Sequence, residues 1–465
     1  MNKAKIHYYD IGDYLSREDK LRIIREFGSV ENIPWTILEP NEHGDWINHR
    51  NEMFKGFIPL GDKDDKKNKQ TFFVPYYSRG LATTRDAWCY NSSLAIVKEK
   101  AKEQIDFYNE QLDKLNRGEI TEVDYDTNKI SWTAEVLANI QRKRYYNIVD
   151  CEYRESLYRP FYKQFLLYYK PLNERQYQIS KFFPTPEHKN LVICVSSIGD
   201  TKDFSCLITD CIPDLHLIAT TQCFSLYWYE EEQSTFQTGG MDNMFEESKS
   251  SYVCKDGITD WILTTARKQY GYKVTKEDIF YYVYGLLHSP DYRTTFATDL
   301  KKSLPRLPLV EKADDFWAFS KAGRALADLH LNYESIETYK KCLVLHAPLT
   351  NKGDSVNYRV EKMRFGKIDS KTADKSVIHY NHAITVEGIP AEAYEYVVNG
   401  KSAIEWIMER YAITTDKKSG ITNDPNDWAR EHDDEKYIFN LLLRVINVSV
   451  QTVEIVKGLP KLKFE

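Results

Sequence analysis

At 465 residues, 42% of them hydrophobic, the chain is long enough for two or three globular domains with their own cores. Its formal net charge of −6 argues against a generic nucleic-acid coat protein, which would be strongly basic, and leaves room for a local basic cleft. Its 33 tyrosines and nine tryptophans supply rigid amphipathic area that suits cores and interfaces alike. In chain order, Lys5–Gly12 predicts a short strand. Ser16–Phe27 predicts a helix with Ser16 as N-cap and Asp19 at the third helical position, an acidic group at the positive end of the helix dipole. Trp35–Pro40, Thr71–Tyr77 and Trp88–Ser93 predict strands, with a solvated lysine-rich loop at Gly61–Gln70. This strand–helix–strand order suggests the end of an α/β sheet, in a region too short to be a whole α/β domain. A long helix follows from Leu94, stopped by Gly118, and a second covers the segment before Tyr146 and ends in the basic cluster Arg142, Lys143 and Arg144.

The region after Asn147 begins β-rich, at Gln164–Lys170, Asn190–Ser197, Ser205–Asp210 and Leu215–Glu231. Gln233–Ser251 reads as a polar loop. Helices are then expected before Pro290, with Thr275 as cap, and over a segment that puts Leu326, Leu329 and His330 near one face. Two more are expected at Lys401–Tyr411 and Tyr437–Leu459, the second rich in β-branched residues in its far half. The fold class expected is mixed α+β. It would comprise an α/β remnant at 1–97, a helical linker at 98–147 and a large mixed α/β domain at 148–465.

The motifs of common catalytic centres are missing from the sequence. There is no GxxxxGK[ST] phosphate loop and no Asn/Asp-Pro-Pro-aromatic turn of the kind that holds a flipped base. Pro290-Asp291 followed by Asp299-Leu300-Lys301 imitates a nuclease PD…DxK pattern, but Asp299 and Lys301 fall in an expected helix and point to different faces. His379 and His382 form an HxxH without further ligands nearby in sequence, so hydrogen-bonding roles are expected rather than metal. His288 and His330 read as buried packing residues. The eight cysteines include no CxxC pair, so reduced thiols are expected. Without an apolar signal core at the N-terminus, or an apolar run of membrane-spanning length, the expected location is the cytoplasm. What remains is a set of arginine, lysine, amide and aromatic residues on polar segments. Arginine can read guanine, Asn and Gln can read adenine, and Lys or Arg can hold phosphate.

A series of strings spread over 148–462 resembles the C-terminal specificity region of type ISP restriction-modification enzymes. They are YRPFY (Tyr158–Tyr162), IPDLH (Ile212–His216), YGLLHSPDYR (Tyr284–Arg293), LPRLP (Leu304–Pro308), Phe316–Glu334, Tyr396–Tyr411, SGITNDPNDW (Ser419–Trp428) and Arg444–Leu459. Ile6–Asp13 with Arg17–Ile24, and Phe72–Asn91 containing YSRGLATTRDAWCYN, are similar to the end of the N6-adenine methyltransferase domain of the same enzymes. The resemblance implies sequence-specific recognition of double-stranded DNA. It implies that binding presents a target adenine to a methyltransferase and licenses a translocase and nuclease, all supplied by upstream polypeptide in cis or in trans. S-adenosylmethionine, ATP and Mg²⁺ are then expected only for those upstream parts, and neither a cofactor nor a catalytic or metal site for this chain. The DNA-binding residues expected are Arg79, Thr83, Thr84 and Arg85 near the methyltransferase edge, Arg142 and Lys143 in the basic cluster, and Lys249, Tyr252, Lys352, Asn357, Arg359 and Arg364 between the framework blocks. Two alternatives stand beside this reading: a subunit that completes an active adenine methyltransferase, and an inactive fragment or structural protein.

Overall fold

The computed structural model describes residues 4–12, 15–62, 65, 67–232, 251–347 and 356–464. The chain divides into two compact units, Met1–Gly56 and Phe57–Glu465.

In the first unit, strands Ile6–Tyr8 and Thr36–Leu38 pair antiparallel, and helix Arg17–Phe27 lies between them in sequence. Ser16 caps that helix as expected: its Oγ accepts the Asp19 N–H at 3.1 Å and donates to the Asp19 carboxylate at 2.6 Å. Gly28 then reverses the chain with φ +67°, a region that glycine enters without strain. Among its described residues this unit buries only Asp45 and Phe54.

The second unit mixes helices with small sheets, the expected α+β class. One sheet is built on the hairpin Glu152–Arg159/Tyr162–Tyr168, flanked by Ile212–Pro213, parallel to the first strand, and by Tyr90–Asn91. The hairpin turn is Pro160-Phe161, with Phe161 at φ +57°. Proline suits the second position of a type II turn, whose third position needs positive φ. Here the strain of a non-glycine residue is offset by burial of the Phe161 ring, 5.3 Å from Tyr333 and 6.0 Å from Tyr396. A second sheet runs Ser78–Arg79, Gln222–Ser225, Val192–Val195, Cys206–Thr209, antiparallel throughout, and its last three strands are buried at every residue. A third runs Leu343–His346, Ile384–Glu387, Ala373–His379, Arg364–Lys367.

Helices Lys276–Leu286 and Ala313–Leu331 pack backbone to backbone at Gly285 and Gly323. A Cβ on Gly285 would meet the Phe319 carbonyl oxygen at 2.2 Å, so only glycine fits the approach. Thr275 and Asp278 close a capping box at the start of the first of these helices. His330 ties three helices together: its Nδ1 lies 2.6 Å from the Tyr284 hydroxyl and its Nε2 3.0 Å from Thr452 Oγ1 on helix Tyr437–Lys457. That last helix is continuous through its β-branched half. It is long and apolar enough to cross a membrane, contrary to the expectation that no segment is, but 61% of its apolar window is buried within the fold.

Several expected elements differ. Thr71–Tyr77 forms no strand; Phe73 makes a single bridge to Ile258, and Pro75 has no N–H to extend a ladder. Trp88–Ser93 splits into a helical turn, Asp86–Cys89, and the short strand Tyr90–Asn91. The helix expected up to Tyr146 stops at Gln141, so Arg142, Lys143 and Arg144 lie beyond it. The strand Glu152–Arg159 was not anticipated. Asp299 and Lys301 are helical, as expected; Lys301 pairs with Asp203 at 3.0 Å, and Asp291 accepts the Leu462 N–H at 3.0 Å.

Candidate nucleic-acid interface

At one end of the third sheet, the segment 357–364 and the hairpin end at His379–His382 enclose a cleft of about 390 Å³. Along this segment Asn357, Arg359, Glu361, Lys362 and Arg364 are exposed, whereas Val360 and Met363 are buried. The polar row therefore faces the cleft while the apolar row anchors the segment in the core. Arg364 pairs across the strands with His379, which puts guanidinium and imidazole side by side. Lys362 and Arg364 make no ion pair among the described residues, so their charge is available to a ligand.

The backbone that carries these groups is clamped. Asn357 Oδ1 accepts the Arg359 N–H at 2.9 Å, and Asn381 Nδ2 donates to the carbonyls of Asn357 and Arg359 at 2.8 and 2.9 Å. Asn381 Oδ1 accepts the N–H groups of Ala383 and Ile384, so its amide is committed to structure rather than to a ligand. Asn426 brackets Val360, accepting its N–H at 2.9 Å and donating to its carbonyl at 2.7 Å. Arg359 lies against Asp424, Nη2 to Oδ2 2.7 Å. Burial pushes the Asp424 carboxyl up, but hydrogen bonds from Asn426 and Arg359 outweigh this and hold it below its ordinary value. Asp424 thus stays ionised and aims the guanidinium without burying it.

Of the residues expected from sequence, the cleft brings together Asn357, Arg359 and Arg364. Lys362, His379 and His382 join them and were not expected as DNA contacts. The signal for them was the alternation of polar and apolar residues from Asn357 to Phe365 together with the HxxH. His379 makes the hydrogen bond expected of it, Nδ1 to Thr385 Oγ1 at 3.1 Å.

The remaining expected residues lie elsewhere. Arg79 is exposed on an edge strand and lines a different cavity of about 480 Å³ with Tyr77, Tyr177, Gln178 and Gln222. Thr83 is buried, its hydroxyl spent on Asp86, and Thr84 is exposed with φ +55°. Arg85 is 3% exposed and none of its guanidinium nitrogens has a hydrogen-bond partner, so in this conformation it faces no phosphate. Burial lowers its pKa, with Cys89, Tyr146 and Glu174 opposing. Arg142 and Lys143 are exposed past the helix end, Arg142 3.7 Å from Glu135. Tyr252 is half-buried on strand Ser251–Asp256, its ring edge-on to His188 at 5.1 Å. Lys249 and Lys352 lie outside the described residues. Among the described residues, one group of carboxylates and histidine has metal-ligand spacing, Glu42, His43 and Glu52, and the Lys55 ammonium already bridges both glutamates at 2.9 Å.

Residues 72–441 match the family described as the Type ISP C-terminal specificity domain. The chain is also similar to solved structures. One is a nuclease-deletion mutant of the Type ISP restriction-modification enzyme LlaGI in complex with a DNA substrate mimic, with 36% identity and TM-score 0.82 over 100% of this chain and 40% of that one. Another is the ATP-dependent Type ISP restriction-modification enzyme LlaBIII bound to DNA, with 36% identity and TM-score 0.83 over 100% of this chain and 28% of that one. A third is DrdV in a DNA complex, with 28% identity and TM-score 0.79 over 99% and 43%. No curated protein matches. The chain therefore spans less than half the length of these three solved relatives.

Proposed function

We propose that this chain, which belongs to the Type ISP C-terminal specificity domain family, recognises a specific sequence in double-stranded DNA through the cleft at 357–382. The observation that carries the reading is a rigid row of Arg359, Lys362 and Arg364, with His379 and His382 opposite, in a protein whose net charge is −6. With Arg359 paired to Asp424, Lys362 and Arg364 outweigh the lining carboxylate Glu361, and this excess of positive charge in one clamped cleft of an acidic protein directs a polyanion to that cleft. Arginine and asparagine side chains there can pair with base edges, and Lys362 can hold phosphate. The DNA-bound states of LlaGI, LlaBIII and DrdV support the same partner.

In this role the chain positions a target adenine for an N6-methyltransferase and licenses the translocase and nuclease of further polypeptide in a cytoplasmic restriction-modification system. S-adenosylmethionine, ATP and Mg²⁺ belong to that further polypeptide. The test is selection of bound duplexes from a randomised pool by the full chain. Enrichment of one short asymmetric motif is expected, and an unenriched pool contradicts the proposal.

One observation favours a second reading, in which the chain completes an active adenine methyltransferase. The unit Met1–Gly56 exposes Leu21, Ile24, Ile37, Trp46 and Ile47 and, among its described residues, buries only Asp45 and Phe54. So small a buried core, with a sheet of only two strands, needs covering by another folded surface. Mixing the chain with the remaining polypeptide of such an enzyme and S-adenosylmethionine should then yield methylated DNA. No methyl transfer with both parts folded rejects this reading.

A further inference from the structure

The strand pair Arg364–Lys367 and Ala373–His379 is more than a wall of the cleft. Only Val377, Ile378 and His379 of the longer strand pair with the next strand, so the distal part, Gly366 to Asp374, is a two-stranded ribbon with no third strand among the described residues. The register breaks between Phe365 and Gly366, where the partner moves from Ile378 to Asp374. A Cβ on Gly366 would stand 2.9 Å from Val377 Cβ, so the bulge depends on glycine. Bulges of this kind re-aim the chain beyond them.

The ribbon's tip is held by hydrogen bonds. Ile368 N–H donates to the Thr372 carbonyl at 3.0 Å, and Asp369 Oδ1 accepts the N–H groups of Lys371 and Thr372 at 2.7 and 2.8 Å. On this turn Ile368 is 70% exposed. Lys367 and Lys371, on either side of it, are exposed and make no ion pair among the described residues. The base of the same ribbon is Arg364 opposite His379, inside the cleft.

We infer that this ribbon enters the major groove of duplex DNA and that Ile368 is a specificity-determining residue that contacts a thymine methyl group. The inference rests on the recognition reading above and adds to it an apolar reader outside the cleft. A major groove admits a two-stranded ribbon, and the thymine methyl is the one apolar group on its floor. Lys367 and Lys371 would meet the phosphates that flank the groove. The turn 367–372 carries these two lysines against one carboxylate, Asp369, and this net positive end favours DNA over an apolar protein surface as the occupant.

The test uses the full chain and the duplex it selects from a randomised pool, with each thymine in turn replaced by uracil, which removes only the methyl. For the natural chain, one position should lose affinity about fourfold, the worth of one buried methyl group. In I368A that position should lose nothing further, whereas I368V should keep most of the discrimination. At so exposed a site, the thermal midpoint of I368A should match that of the natural chain. An equal uracil penalty in I368A and the natural chain overturns the inference and leaves DNA recognition standing. So does an I368A chain that keeps its thymine preference and instead loses association with the rest of a Type ISP enzyme. If the natural chain selects no duplex at all, the recognition reading fails, and this inference with it.

Discussion

Replacing Lys362 and Arg364 together with glutamine removes two exposed charges from the cleft and breaks no ion pair among the described residues. Folding stability should therefore stay within about 0.5 kcal/mol of the natural chain. DNA affinity should not. Each phosphate contact contributes about 0.9 to the slope of log affinity against log salt, so two lost contacts flatten it by about 1.8, and between 50 and 200 mM salt the natural chain should lose about 12-fold more affinity than the double variant. Fluorescence anisotropy with a labelled duplex across that range measures both slopes. If Arg364 reads a base instead of a phosphate, R364Q alone relaxes preference at one position by about 1–3 kcal/mol while the slope falls by less. Parallel salt lines with unchanged sequence preference would refute the assignment of the cleft as the DNA-binding surface. The single variant R359Q is a less clean probe, because it also strands Asp424, whose carboxylate Arg359 helps to hold ionised.

Three further predictions concern the frame that carries the cleft. G323A places a methyl 1.9 Å from the Tyr281 carbonyl oxygen and should destabilise the chain by on the order of 3 kcal/mol in urea unfolding; an unchanged midpoint would mean that the two helices can separate freely. R85M exchanges a buried guanidinium without hydrogen bonds for an apolar side chain of similar length, so the thermal midpoint should hold or rise, and a clear fall would show that Arg85 has a partner in solution. Burial, reinforced by Arg293, lowers the His330 pKa from 6.5 to about 3. The unfolded chain takes up this proton near its ordinary value and the folded chain does not, so stability should fall as pH drops from 6.5 towards 3, by up to about 1.4 kcal/mol per pH unit. H330Q should flatten part of that slope, with His288, also lowered by burial, accounting for more; a slope identical in H330Q would contradict the assignment.

Local signals in the sequence are legible where they act through a few adjacent atoms. Ser16 and Thr275 cap the helices they were expected to cap, and Gly118 stops a 24-residue helix by entering the left-handed region at φ +70°. Signals that depend on distant chain are less legible. Glu152–Arg159 mixes charged and aromatic residues and becomes a strand only because Tyr162–Tyr168 and Ile212–Pro213 pair with it. Thr71–Tyr77 looks like a strand in composition, yet its backbone hydrogen bonds divide between Pro59–Leu60 and Gly257–Thr259 and Pro75 ends them, so it keeps to one bridge. The site divides in the same way. Asn357, Arg359 and Arg364 could be chosen as polar residues of a variable segment, but their meeting with His379 and His382 depends on a hairpin register that the sequence does not display. Arg85 sits in a polar string, GLATTRDAW, that suggests a surface arginine, yet distant chain at Tyr146 and Glu174 comes close to it and it is buried.

The most direct measurement is a competition titration of the full chain at 150 mM salt, between the duplex it selects from a random pool and a scrambled duplex of equal length. Sequence recognition by this chain predicts at least about a 1,000-fold difference in affinity. Equal affinity for the two duplexes would contradict it.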